Sequence, residues 1–163
     1  MTERASGPAG PTRLAPAERS AFHFFHRLRV RWAEVDAQGI VFNAQYYFLF
    51  EVAMTEFFRH LGLPPDMSGQ GGRGEMFTAA STASFHAPAR FDDPLDIGVG
   101  AERLGRSSVT MGLGIWRGDE LLTTGQMVYV YADPHARTGV ALPADFRALL
   151  EDWLLAKPAA AEA

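Results

Sequence analysis

The sequence predicts an α+β fold in which one antiparallel sheet of five strands wraps a long central helix and a shorter helix closes the chain. Three observations lead there. Residues 44–61 read as a helix that is apolar around most of its circumference. The segments before and after it alternate with period two. Short turns join those segments, so the order is strand, long helix, four antiparallel strands, helix.

The helix has roughly 18 residues, long for a globular protein. Tyr46, Tyr47, Phe48, Leu49, Phe50, Val52, Ala53, Met54, Phe57, Phe58 and Leu61 are spread around it. A helix that is apolar nearly all round is buried on most sides. Glu51, Thr55, Glu56 and Arg59 interrupt it, so it is no membrane span, and the sheet is left to enclose it. Asn43 is the expected N-cap, and Gly62 with Pro64 and Pro65 ends the helix.

Before the helix, Leu28, Val30 and Trp32 share one face of a strand and Arg27, Arg29 and Arg31 the other, a solvated side. After it, Ser68 to Gly74 holds four glycines in seven residues and reads as a loop without a phosphate-binding pattern. Residues 76–87 form a strand of small side chains, suited to close packing on the helix or to lining a narrow channel. Pro88 and Phe91-Asp92-Asp93-Pro94 break it. Three more strands follow, the last two joined at Gly118-Asp119. In the final helix Phe146, Leu149, Leu150, Trp153 and Leu154 make a one-sided stripe, with Pro143 in its first turn.

At 163 residues the chain fits one domain, residues 22–157, with tails at 1–21 and 158–163 read as disordered from their Ala, Pro and Gly content. A net charge of -4 gives no electrostatic footprint for nucleic acid. The chain lacks cysteine, which removes disulfides, thiolate metal sites and a cysteine nucleophile, and fits a reducing cytoplasm. The first residues lack the apolar run of a signal peptide. The five histidines show no metal-ligand spacing, and no Gly-x-Ser-x-Gly elbow is present.

Asp36 stands in the short turn between the first strand and the helix N-terminus, where free backbone N–H groups and the positive end of the dipole collect. It is either a turn residue or a working carboxylate. The segment Asp36-Ala-Gln-Gly39-Ile40-Val41-Phe42-Asn43-Ala-Gln-Tyr46-Tyr47 resembles the signature of the 4-hydroxybenzoyl-CoA thioesterase family. So do Ala87-Pro88-Ala89-Arg90-Phe91-Asp92-Asp93, Gly105-Arg106-Ser107-Ser108 and Leu142-Pro143.

That resemblance implies the hotdog fold, an acyl-CoA substrate, no cofactor, and a homo-oligomer, dimer or dimer of dimers, with active sites at the dimer interface. It also implies a role for Asp36 as nucleophile or general base and for the backbone N–H of Asn43 as the donor that polarises the thioester carbonyl. Gly39 matches the glycine of the connecting turn, and Val41, Phe42 and Tyr46 fall beside the substrate. Arg106 falls near a position that some members use for CoA phosphate. The chemistry is consistent: a thiol of pKa about 8–9 leaves with little acid help, and helix-terminal donors stabilise the oxyanion.

Three alternatives stand beside it. Another hotdog branch takes its carboxylate from the helix, where Glu51 or Glu56 would serve. Hotdog hydratases would carry histidine at the place of Val41, which disfavours hydration. A binding module without catalysis shares the fold. Phe42, Tyr46, Phe77, Phe85 and Phe91 are either core or an acyl pocket.

Overall fold

The computed structural model describes residue 14, residues 17–64 and residues 74–155; the predicted glycine loop, apart from Gly74, and most of both tails lie outside them. Strand β1 (Phe24–Arg29) leads through a 3-10 turn, Trp32–Glu34, to helix α1 (Gln45–His60). Strands β2 (Glu75–Phe85), β3 (Pro94–Leu104), β4 (Ser108–Arg117) and β5 (Glu120–Asp133) follow, then the two-residue β6 (Thr138–Gly139) and helix α2 (Ala144–Glu151). The sheet runs β1-β3-β4-β5-β2, antiparallel throughout, with β6 on β5.

The helix sits on one face of this sheet because the two surfaces match in shape. Ile97, Val99 and Ala101 of β3 stand opposite Ile115, Leu113 and Met111 of β4, and all are buried. Next in the row, Leu113 is opposite Gly125 of β5. A Cβ at Gly125 would lie 2.4 Å from the Phe50 ring, so this glycine opens the hollow that Phe50 fills. Leu49, Ala53, Met54, Phe57 and Phe58 complete the buried side of α1.

Several expectations change. Trp32 does not share the inner strand face, because Glu34 takes both the backbone N–H of Arg31 (2.7 Å) and its guanidinium and turns the chain there. The indole is 74% exposed, edge-on to Phe91. Asn43 is not the N-cap; that position is Ala44, in helical conformation and without a side-chain hydrogen bond, because Gln45 N–H already closes a turn on the Phe42 carbonyl. Of the small residues of β2, Ala83 packs against the core and Ser84 is buried, but the rest do not line the helix. β2 is an edge strand paired only with β5 among the described residues, and residues 77–82 are exposed. The stripe of α2 ends early: Phe146 and Leu150 are buried, whereas residues 153–155 leave the helix and bond to Ala101 along the edge of β3 beyond β1.

The chain's own terminal segments cover part of the outer face of the sheet, over β3 and β4. Phe22 lies over Gly98, edge-on to Trp116 (5.3 Å), whose ring lies over Gly114, while Leu155 lies over Gly100 and Gly112. Arg19 and its neighbours, assigned by composition to the tail, form a 3-10 turn. The Arg19 guanidinium covers the Phe25 ring at 4.5 Å and bonds Asp96 at 2.6 Å; Arg27 reaches the other Asp96 oxygen at 2.7 Å. The Arg27 bond chiefly, opposed by desolvation and helped by Arg19, holds the Asp96 carboxyl below the usual range.

Two measurements test this packing. In urea unfolding, Gly125→Ala is expected to destabilise by about 1–3 kcal/mol, and Phe50→Leu in the same chain to recover part of that loss, giving a coupling on the order of 1 kcal/mol. Because the Asp96 pKa is depressed on folding, its contribution is complete above the unfolded value of about 4 and is lost as pH falls through the lower folded value. Asp96→Asn should therefore be less stable than the native chain at neutral pH, with the difference closing in acid.

Candidate active site

Two turns build the site, and neither is in contact with the other along the sequence. In the first, Val35 bridges Val41, Asp36 N–H donates to the Ile40 carbonyl (2.9 Å), and Gly39 N–H donates back to the Asp36 carbonyl (2.9 Å). Gly39 carries the reversal at φ +73°, a region costly for other L-residues. The second turn follows β2. Ile40 bridges Arg90 and Val41 N–H donates to the Ala89 carbonyl (2.9 Å), which fastens one turn to the other. Ala89 N–H in turn donates to the Tyr46 hydroxyl (3.1 Å) at the start of α1. Burial, partly offset by this bond, pushes the Tyr46 phenol up, so it stays neutral while accepting it.

Between the turns lies a cleft of about 490 Å³. Asp36, Val41, Phe42, Asn43 and Tyr46 all line it. Asp36 holds the turn and also lines the cleft. One oxygen accepts Gln38 N–H at 2.8 Å and fixes the turn, and the other makes no hydrogen bond to a described residue. The Asn43 backbone N–H likewise has no acceptor among the described residues. A carboxylate and a free helix-terminal donor thus share one apolar-walled cleft, an arrangement able to hold a carbonyl at the donor and present a nucleophile or a base to it.

Of the five aromatics weighed for the pocket, Phe42, Tyr46 and Phe85 line the cleft; Phe77 and Phe91 do not. Only Tyr46 is core, the other four being 41–51% exposed. Tyr46 and Phe85 meet edge to face at 5.1 Å. Gly39 shapes the turn without being part of the wall. Arg106 stands in the β3–β4 turn, its guanidinium 3.5 Å from the Gly139 carbonyl. The eleven residues of β3 separate that end of the sheet from the cleft by roughly 30 Å. Glu51 and Glu56 lie on the outer side of α1, around a different groove.

Sequence reasoning missed His86, which lines the cleft with its Nε2 2.9 Å from Thr124 Oγ1 and its backbone N–H on the Leu122 carbonyl. Its signal was its position, one residue before the Ala87-Pro88 turn. Among the described residues no group of three or more His, Asp or Glu is arranged for a metal, and no helix is long and apolar enough to cross a membrane.

Residues 38–124, which begin inside the first turn two residues after Asp36 and contain the whole of the second, match the thioesterase superfamily. The chain belongs to that superfamily, a family of thioester hydrolases. Relatives of this thioesterase include a putative esterase of Aquifex aeolicus, 31% identical over 59% of the chain and 74% of that protein. The acyl-CoA thioester hydrolase YbgC of Escherichia coli is 29% identical over 71% of the chain and 87% of its own length. A solved structure from Pseudomonas aeruginosa superimposes with a TM-score of 0.74 at 26% identity, covering 86% of this chain and 97% of that one. The hotdog fold read from the sequence is that of the thioesterase.

The turn itself is open to test. No atom lies within 4 Å of a Cβ built on Gly39, so replacing it costs backbone strain alone. Gly39→Ala is expected to lower stability by about 1 kcal/mol and Gly39→Val by more, with Gly39→Asn the mildest, as read by urea midpoints.

Proposed function

We propose that this thioesterase hydrolyses acyl-CoA to the free acid and CoA, with Asp36 as nucleophile or general base. The backbone N–H of Asn43 polarises the thioester carbonyl, and Val41, Phe42 and Tyr46 hold the acyl group. The reading rests on one observation, that an open carboxylate oxygen and an unbonded helix-terminal N–H line the same cleft. The name of the Escherichia coli relative supports CoA as the carrier. No cofactor is needed, since the carboxylate and the backbone donor supply both halves of the chemistry. A cysteine-free chain of this kind is read as cytoplasmic.

The working unit in this reading is a homodimer, or a dimer of dimers. β2 offers a long edge, paired only with β5 among the described residues and made mostly of small, uncharged side chains, the kind of edge that pairs with another chain. Antiparallel pairing of two β2 edges sets the residue-75 end of one copy beside the residue-85 end of the other. The cleft lies at the second end and Arg106 toward the first, so the partner's Arg106 is carried toward this cleft and is available to CoA phosphate.

Thiol release from a panel of short, long and aromatic acyl-CoAs tests the reading. Asp36→Asn is expected to lose at least about 100-fold in rate, or roughly 2.7 kcal/mol of barrier, with its melting temperature kept. Arg106→Ala should raise KM more than it lowers kcat. Refolding the two variants together should restore part of the activity, since half of the sites in mixed dimers would combine an intact carboxylate with an intact arginine. An equally active Asp36→Asn protein rejects the assignment.

A further inference from the structure

The residues before β1 are joined to the cleft through a single row of the sheet. Phe25, Gly98, Gly114, Thr124 and Ser84 stand directly opposite one another on β1, β3, β4, β5 and β2, so the row lies on one face, the outer one. Phe22 lies over Gly98, and the Arg19 guanidinium lies over the Phe25 ring. At the other end of the row Leu14 N–H donates to Ser84 Oγ at 2.9 Å. Three strand spacings, about 14 Å, separate β3 from β2, well within the roughly 26 Å that the chain from Leu14 to Phe22 can reach. One segment thus ties β2 to β3 across β5 and β4.

The tie is made where the cleft wall begins. Residues 77–82 of β2 are exposed, whereas Ser84 is 7% and Thr124 6% exposed. Thr124 Oγ1 lies 2.9 Å from His86 Nε2, so the row also reaches the wall through β5. Phe85, between Ser84 and His86, points to the opposite face, where its ring meets Tyr46. Among the described residues β2 has β5 as its one neighbouring strand, and the Leu14 bond supplies a second hold on its last residues.

We infer that residues 14–22 are a strap that sets the acyl-binding wall from behind the sheet, with Ser84 and Thr124 as positioning residues acting on Phe85 and His86. The inference rests on the reading of the cleft as the acyl site. Holding Ser84 fixes the end of β2, and with it how the Phe85 ring stands against Tyr46 and how wide the cleft opens there. Thr124 holds the His86 ring in the same way. Releasing the strap leaves Asp36 where it is, because its turn is closed by its own bonds to Gln38, Gly39 and Ile40. Selection among acyl groups therefore depends on the strap, and the chemical step does not.

Two substitutions in the full chain break the tie: Leu14→Pro removes the donor and Ser84→Ala the acceptor. Amide hydrogen exchange at His86 and Ala87, whose N–H groups both donate to the Leu122 carbonyl, is expected to quicken about tenfold while α1 stays protected. Across acyl-CoAs of graded size, the ratio of kcat/KM between the best and poorest substrates should fall about tenfold, through KM, with kcat for the best one kept. The double variant should do no more than either single one, since both remove the same bond. Ile97→Val, a change in the buried core, controls for lost stability and should leave the ratio as it is. Exchange that stays slow at residues 86 and 87 or quickens equally in α1, an unchanged ratio, or an Ile97→Val protein that matches the strap variants each overturns the proposal. If no thioester releases thiol, the hydrolytic reading falls, and the ratio is read instead from binding of the matching S-alkyl-CoA thioethers. A narrowed affinity ratio in the strap variants upholds the strap, and an unchanged one overturns it.

Discussion

The seating of Phe50 in the hollow at Gly125 is the contact on which the rest of the molecule turns. A long helix laid on a twisted sheet can slide or roll unless something fixes it in place. Here a ring enters a gap left by a missing side chain, with Leu113 opposite that gap on the neighbouring strand. Once that position is set, the first turn of α1 is set as well. Tyr46 then reaches Ala89, and Asn43, whose N–H has no acceptor among the described residues, lines the cleft. Dense packing at one point of the core therefore determines the geometry of a polar group about two helical turns away.

Most of the architecture could be read from periodicity. The order of elements along the chain follows from alternation and short turns, though not the sheet order that sets β2 beside β5 and β1 beside β3, and the all-round apolar character of residues 44–61 identified the element that everything else packs on. Where the reading failed, a local hydrogen bond had overridden a pattern. Trp32 continues the alternation of β1 on paper, but the Glu34 carboxylate captures Arg31 and ends the strand first. Trp153 and Leu154 continue the helical stripe, but the free edge of β3 beyond β1 offers Ala101 as a partner, and the chain goes over to the sheet.

The site was legible to a different degree. Asp36 and Asn43 stood out as candidates because strand, acidic turn and helix are contiguous in sequence. His86 and the 86–90 wall were not, because their nearness to Asp36 comes from pairing between segments some fifty residues apart, and nothing in either segment alone announces it. The exposure of Phe42 and Phe85 was equally hidden. A list of aromatic residues says what can be buried, whereas only the fold says which of them stand at an opening.

The fastening of the two turns separates duties within the cleft. In the proposed reaction residues 36–43 contribute the carboxylate and the backbone donor, whereas residues 85–88 contribute only wall, hung from the first turn through Ala89 and Arg90. The shape of the wall can drift through changes at Phe85, His86 or Pro88 while the hydrogen bonds that hold Asp36 stay as they are. A chain built this way can exchange one acyl group for another over evolutionary time without reinventing its chemistry.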